Sequence, residues 1–269
     1  MKIGFFDSGV GGLSVLREAL KVLPEEEYLY YADTQHVPYG IKPKEEVKKY
    51  IFAAVEFMAA QGLKALVVAC NTATSIAVRE LRGMYDFPLV GMEPAVKPAV
   101  EKWGHKEKRV LVLATPLTLQ EEKFRNLVAR VDNDHIVDML PCPELVVLAE
   151  KLEFREEVII PFLTEKLAGF DLSQYGTIVL GCTHYPLYRD IFKQVLPSHM
   201  DIIDGNLGTV NQLINLMADR GMLSAAWDGK RTIPEGRGEV VRIDFYHSGK
   251  KVDNPSRLDI YRQLLGLNK

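Results

Sequence analysis

The sequence predicts an α/β protein of two similar lobes, each with a mainly parallel sheet flanked by helices, and a ligand cleft between them. Three observations carry this. Strand-like and helix-like segments alternate along most of the chain, the order of right-handed βα units. Several strands read as unbroken apolar runs, Leu66-Val67-Val68-Ala69 and Ile178-Val179-Leu180 among them, as expected of strands buried on both faces. The order of elements also recurs with an offset of about 110 residues: Ile3–Phe6 with Asp7-Ser8 resembles Val110–Leu113 with Ala114-Thr115, and the segment reaching Cys70 resembles the one reaching Cys182. At 269 residues the chain exceeds what one core comfortably supports. The expected division is residues 1–95 plus 208–269 for the first lobe and 96–207 for the second.

In chain order, Ile3–Phe6 is a short strand, and Asp7-Ser8-Gly9-Val10-Gly11-Gly12 turns into an amphipathic helix with Leu13, Leu16 and Leu20 on one face, ending near Pro24. Tyr28–Tyr31 is the next strand. Asp33–Pro43, with two prolines and a glycine, reads as a loop. Lys44–Gln61 carries Val47, Ile51, Val55 and Met58 at helical spacing, and Leu66–Ala69 follows as a strand. A helix from Cys70 to about Gly83, the strand Pro88–Gly91, a helix over Ala95–Trp103 and the strand Val110–Leu113 continue the rhythm. Glu121–Arg130, Glu144–Leu152, Glu156–Leu167, Asn206–Arg220 and Arg257–Leu267 read as helices. Ile178–Leu180, Ile202–Ile203 and Val240–Phe245 read as strands, the last after a charged loop over Lys230–Gly238.

Composition narrows the partners. Lys+Arg 33 against Asp+Glu 36 gives a net charge of −3, which offers no nucleic-acid surface and no anchor for an anionic membrane. Apolar runs fall far short of the ~18 residues of a spanning helix. The chain starts directly into a strand signal with no signal peptide pattern, so a cytoplasmic protein is expected. Three cysteines form no complete disulfide set, and a reducing compartment keeps them as thiols. A small molecule is the expected ligand, and a homodimer the default assembly.

The functional signal is the matched pair Cys70 and Cys182, each at the end of an apolar strand, where ligand crevices of open α/β sheets lie. Redox chemistry lacks the Cys-x-x-Cys spacing, and zinc lacks the short-spaced ligand pairs. Acid/base work from opposite sides of a bound carbon remains, since a thiol near pKa ~8.5 reaches both protonation states close to neutrality. Asp7 follows the first strand and stands to assist Cys70; His184, two residues after Cys182, stands to assist that thiol. Blander readings stay open. A cysteine at a strand end is often a small core residue, Asp7 and Asn71 suit helix caps, and His184 suits a structural histidine.

Gly9-Val10-Gly11-Gly12-Leu13-Ser14 fails the Rossmann fingerprint at Ser14 and lacks the Gly-Lys-Ser/Thr of a P-loop, so no nucleotide is indicated. It reads as a turn whose backbone N–H groups can receive a carboxylate. Asn71, Thr72, Thr115, Thr118 and Thr183 add neutral donors at strand ends or helix starts, suited to a compact amino acid.

These residues match a family. Gly4-Phe5-Phe6-Asp7-Ser8-Gly9-Val10-Gly11-Gly12-Leu13-Ser14, Ala32-Asp33 with Pro38-Tyr39-Gly40, Ala69-Cys70-Asn71-Thr72-Ala73, and Leu180-Gly181-Cys182-Thr183-His184-Tyr185-Pro186 together resemble the cofactor-independent glutamate racemases of the aspartate/glutamate racemase superfamily. Weaker matches are Gly91-Met92-Glu93-Pro94-Ala95, and Cys142-Pro143 with Glu150. The resemblance implies two α/β lobes around the active site and interconversion of L- and D-glutamate without metal, pyridoxal phosphate or nucleotide. It implies D-glutamate supply for peptidoglycan in a bacterium. Cys70 and Cys182 would be the two acid/bases, Asp7 the partner of Cys70, and His184 with Glu150 behind it the partner of Cys182. Ser8, Pro38, Tyr39, Gly40, Asn71, Thr72 and Thr183 would hold the amino and carboxylate groups, and Thr115 and Thr118 the side-chain carboxylate. The chain departs from the family pattern at Ala114, Glu121, Phe124 and Val147, around the distal pocket that separates glutamate from aspartate. Aspartate racemisation, or a related two-cysteine isomerisation, is the alternative; a non-catalytic amino-acid-binding protein is a further one. Cys142, between two prolines, is expected to be structural, and Asp33 to shape its loop.

Overall fold

The computed structural model describes residues 1–224, 227 and 241–267. The chain runs β1 (Lys2–Asp7), α1 (Leu13–Val22), β2 (Tyr28–Ala32), α2 (Lys44–Ala60), β3 (Leu63–Val68), α3 (Asn71–Met84), β4 (Leu89–Gly91) and α4 (Val96–Trp103). It continues through β5 (Arg109–Ala114), α5 (Pro116–Gln120), α6 (Glu122–Val131), β6 (Val137–Pro141), α7 (Pro143–Glu150), α8 (Glu156–Leu167), β7 (Tyr175–Leu180), α9 (Arg189–Val195) and β8 (Asp201–Asp204). Last come α10 (Asn206–Asp219), β9 (Ile243–His247), β10 (Lys250–Lys251) and α11 (Pro255–Leu265).

Two sheets result, with orders β10-β9-β2-β1-β3-β4 and β6-β5-β7-β8. Among the described residues every pairing is parallel except the β9–β10 hairpin. The order β2-β1-β3-β4 recurs as β6-β5-β7-β8, so the repeat legible in sequence is a repeated topology. Even the irregularities match: the β1/β3 register shifts between Lys2 and Ile3, and the β5/β7 register between Arg109 and Val110.

Alternation along buried strands explains the layering, because successive side chains leave opposite faces. Ile3 and Phe5 enter one core with α1, α10 and α11, while Phe6 enters another with α2 and α3. In the second sheet Val110 and Val112 pack toward α4 and α6, and Leu111 and Leu113 toward α7, α8 and α9. Each fully buried Leu, Ile, Val or Phe side chain contributes roughly 1.5–3 kcal/mol. After β8 the chain returns to the first core, where Val210, Leu213, Ile214 and Met217 of α10 and Tyr261 and Leu265 of α11 are buried.

Some elements differ from the sequence reading. The expected helix Glu121–Arg130 begins one residue later, because Glu121 is extended and separates α5 from α6, its carboxylate 2.7 Å from Lys44 Nζ. The strand expected over Val240–Phe245 is β9, Ile243–His247; Val240 and the loop Lys230–Gly238 lie outside the described residues. The final helix starts at Pro255, where the Asn254 side chain accepts from Arg257 N, and it ends on the left-handed Gly266. β6 and α9 were not read from sequence. β6 is an edge strand containing Asp138 and Pro141 and has no buried run to signal it. Among the described residues no helix is long and apolar enough to cross a membrane.

Candidate active site

The two sheets place their cysteines equivalently. Phe6 pairs with Val68, and Cys70 follows two residues later; Leu113 pairs with Leu180, and Cys182 again follows two residues later. Both thiols therefore leave the carboxyl end of the strand beside the central strand of their sheet. A narrow cavity holds both, together with Ser8, Pro38, Tyr39, Gly40, Asn71, Thr72, Thr115, Thr183 and His184. Of the ligand-contact residues expected from sequence, only Thr118 is absent from its lining. Val146 and Gly181 line the cavity without having been expected there.

Cys70 is the N-cap of α3. Its Sγ accepts from Ala73 N at 3.5 Å and lies 3.8 Å from Ser8 Oγ. Burial pushes this thiol well up, and the negative charge of Asp7 adds to the effect, while the Ala73 N–H pulls the other way. Both burial and the Asp7 charge favour the protonated thiol at Cys70.

Cys182 has a different neighbour. Its Sγ lies 3.6 Å from His184 Nδ1, and His184 Nε2 lies 2.6 Å from Glu150 Oε1. A carboxylate accepts, which places a proton on Nε2 and leaves Nδ1 as the ring nitrogen facing the sulfur. Burial opposes charge on His184, but its hydrogen bonds to Cys182 and Glu150 and their negative charges outweigh that, leaving the imidazole pKa well above its ordinary value.

Asp7 is fully buried. Its oxygens accept from Gly9 N and Thr183 Oγ1, each at 3.1 Å, rather than from Cys70. Burial pushes its carboxyl up to about 6, against the pull of His184 and of the Gly9 N–H. Asp7 thus acts on Cys70 by charge, and its direct bond crosses to the residue after Cys182.

The hydroxyls of Thr72 and Thr115, which line the cavity, form a triangle with that of Thr118, with edges of 2.9–3.0 Å. Hydroxyls that bond one another in a ring can reopen toward an anionic group. Gly40 closes over it: a Cβ there would lie 2.3 Å from Thr115 Cβ. Asn71 Oδ1 is buried with no hydrogen-bond partner among the described residues.

Asp33 shapes its loop, as expected. It accepts from Tyr39 Oη at 2.5 Å and Ser248 Oγ at 2.7 Å and contacts His36, tying the Pro38-Tyr39-Gly40 segment to the β9–β10 hairpin. Cys142 is buried in the second core, its carbonyl accepting from Tyr185 Oη. Glu121 and Phe124, two of the departures from the family pattern, lie off the cavity: Glu121 pairs with Lys44 and Phe124 packs in a core. Ala114 is buried, and Val147 faces outward beside Val146. Among the described residues, no three His, Cys, Asp or Glu side chains group as a metal site.

This geometry has relatives. The sequence pattern of the Asp/Glu/hydantoin racemase family matches residues 11–213. The chain belongs to that family. Within the family, it is 56% identical to a glutamate racemase of Halothermothrix orenii over 98% of this chain and all of that one. A glutamate racemase isoform of Bacillus anthracis superposes with a TM-score of 0.79 at 28% identity, covering 98% of this chain and 94% of that one. The Escherichia coli glutamate racemase, solved with L-glutamate and the activator UDP-MurNAc-Ala, gives 0.78 at 29% identity, covering 97% and 95%. The enzyme class read from the motifs, an amino-acid racemase, is borne out, as is the two-sheet α/β fold.

Proposed function

We propose that this racemase interconverts L- and D-glutamate by a two-base mechanism, with Cys70 and Cys182 on opposite faces of the α-carbon. The observation that carries the proposal is the cavity with one thiol from each sheet at equivalent positions. The identity to glutamate racemases supports glutamate over aspartate, as does the position of Glu121 and Phe124 away from the cavity.

The α-proton of an amino acid is far less acidic than any side chain, so removing it requires a dry site with preorganised donors where charge develops. Asn71 Oδ1, Ser8 and the Asp7 charge suit the substrate ammonium, and that cation offsets the carboxylate field that keeps Cys70 protonated. The Thr72–Thr115–Thr118 ring suits the side-chain carboxylate. One thiol takes the proton as thiolate while the other gives its own, and the roles reverse for the opposite enantiomer. The thiol pair itself supplies the acid and the base, so the reaction calls for no metal, pyridoxal phosphate or nucleotide. Two bodies flank the site in this reading: residues 1–95 with 208–269, supported by the return of α10 and α11 to the first core, and residues 96–207. We assign the enzyme to D-glutamate supply for peptidoglycan in a bacterial cytoplasm.

Proton NMR in D₂O with L-glutamate, D-glutamate and L-aspartate in separate samples tests the reading. Loss of the α-hydrogen with inversion is expected for both glutamate enantiomers. Inversion of aspartate instead would move the assignment to the sister specificity, and binding without exchange would end the catalytic reading.

A further inference from the structure

The Gly9-Val10-Gly11-Gly12 turn binds no ligand in the mechanism above, yet three of its four residues are glycine. Backbone conformation does not require them, since none of the three has a positive φ among the described residues. Space does. A Cβ on Gly9 would lie 1.8 Å from Glu150 Oε1, and one on Gly11 would lie 2.5 Å from His184 Nδ1 and 2.6 Å from Thr183 Oγ1. The turn that leaves the first sheet is pressed directly onto the pair behind Cys182 of the second.

Hydrogen bonds follow the same path. Val10 N donates to Glu150 Oε1 at 2.7 Å, the oxygen that also holds His184 Nε2. Ser14, fully buried on α1, donates to the Thr183 carbonyl at 2.9 Å, between Cys182 and His184. Tyr30 Oη donates to the Gly9 carbonyl at 2.6 Å and pins the turn to β2.

We infer that the Gly9–Val10–Gly11 turn and Ser14 are positioning groups for the Cys182–His184–Glu150 relay, which is therefore assembled only where the first sheet's turn meets the second sheet's site. The inference rests on the racemase reading for its kinetic consequence, but its geometric content concerns His184 alone. Val10 N–H fixes Glu150, Glu150 fixes the proton on Nε2, and the missing side chains at Gly9 and Gly11 leave room for both. Ser14 sets the backbone that carries Thr183 and His184.

The test uses full-length Ser14→Ala, Gly9→Ala and Gly11→Ala, each alone and each with Glu150→Gln. Readouts are kcat and KM for both glutamate enantiomers and the His184 Nε2–H resonance in unliganded, histidine-labelled protein. Each single variant is expected to lower kcat roughly tenfold to a hundredfold, the scale of a displaced catalytic group, with KM changed less, and to shift the His184 resonance. Added to Glu150→Gln, Gly9→Ala is expected to cause little further loss, because both act through one carboxylate. Wild-type-like kcat with an unmoved resonance in Ser14→Ala and Gly9→Ala would overturn the inference, as would a Gly9→Ala loss that multiplies undiminished in the Glu150→Gln background. Should Gly9→Ala or Gly11→Ala fail to fold, Ser14→Ala decides. If the wild type racemises nothing, the racemase reading falls, and the resonance still decides whether the turn positions His184.

Discussion

At Cys70 and Cys182 the same element is given two different electrostatic settings. Cys70 faces the buried Asp7 charge, whereas Cys182 faces an imidazole whose far nitrogen is held by Glu150. Cys70→Ala and Cys182→Ala are each expected to lower racemisation at least 10²–10⁴-fold, the usual worth of a general acid or base, with unchanged circular dichroism. Near-wild-type turnover in either would remove the two-base proposal. The assistants separate by isotope effect. Because L and D forms are equally stable, kcat/KM is equal in both directions, so a weakened assistant appears in which deprotonation becomes rate-limiting. Asp7→Asn is expected to raise the α-deuterium effect for one enantiomer, and His184→Asn for the other; the same enantiomer in both would refute the pairing. Asp7 is also expected to titrate in an accessible range. Its folded-state pKa of about 6 stands above the ordinary 3.8, so its contribution to stability is full below pH 4 and lost as pH rises through about 6. A shift of that size corresponds to on the order of 3 kcal/mol. Denaturation of Asp7→Asn between pH 4 and 7 should show this slope flattened; an unchanged slope would place the titration elsewhere.

Among the elements, the β7 end is held against backbone. Gly181 N donates to Leu113 O at 2.7 Å, and a Cβ at this position would lie 2.7 Å from the same oxygen and 3.1 Å from Ala114 Cβ. A backbone atom has little freedom to yield. Gly181→Ala is expected to destabilise by about 1–3 kcal/mol in urea unfolding and to lower activity by displacing Cys182. Stability and activity equal to wild type would show that β5 and β7 can separate there. α3 has a complementary role, since its first turn supplies the Ala73 N–H to Cys70 and the Thr72 hydroxyl to the ring.

Over the whole molecule, bonds between the two sheets' site segments concentrate at the cavity: Asp7 with Thr183, Val10 with Glu150, Ser14 with the Thr183 carbonyl, and Thr72 with Thr115 and Thr118. A ligand seated among them adds to the cohesion of the fold. Glutamate at about 100 times its Kd is expected to stabilise the protein by about 2.7 kcal/mol, seen as a rise in Tm. Asn71→Ala should reduce the Tm rise at a fixed glutamate concentration, and an undiminished rise would place the ligand elsewhere.

The alternation of strands and helices, the repeated order around Cys70 and Cys182, and the motif residues at strand ends were legible in the linear chain, because burial on both faces and chain reversal leave apolar runs and glycine or proline marks that need no tertiary context. Edge strand β6 lacks a buried apolar run, and the Glu121 break carries neither glycine nor proline; partial exposure and a Lys44 ion pair decide them. The site divides in the same way. Residue types named Cys70, Cys182, Asp7 and His184, while their partners depended on contacts far apart in sequence. Only the fold brought Asp7 to Thr183 instead of Cys70, closed the three threonines into a ring, and set the Gly9–Gly11 turn against Glu150 and His184. Periodicity and turn chemistry act over a few residues and so are written in the sequence. The meeting of groups more than a hundred residues apart depends on how the two sheets pack, and only the tertiary structure decides it.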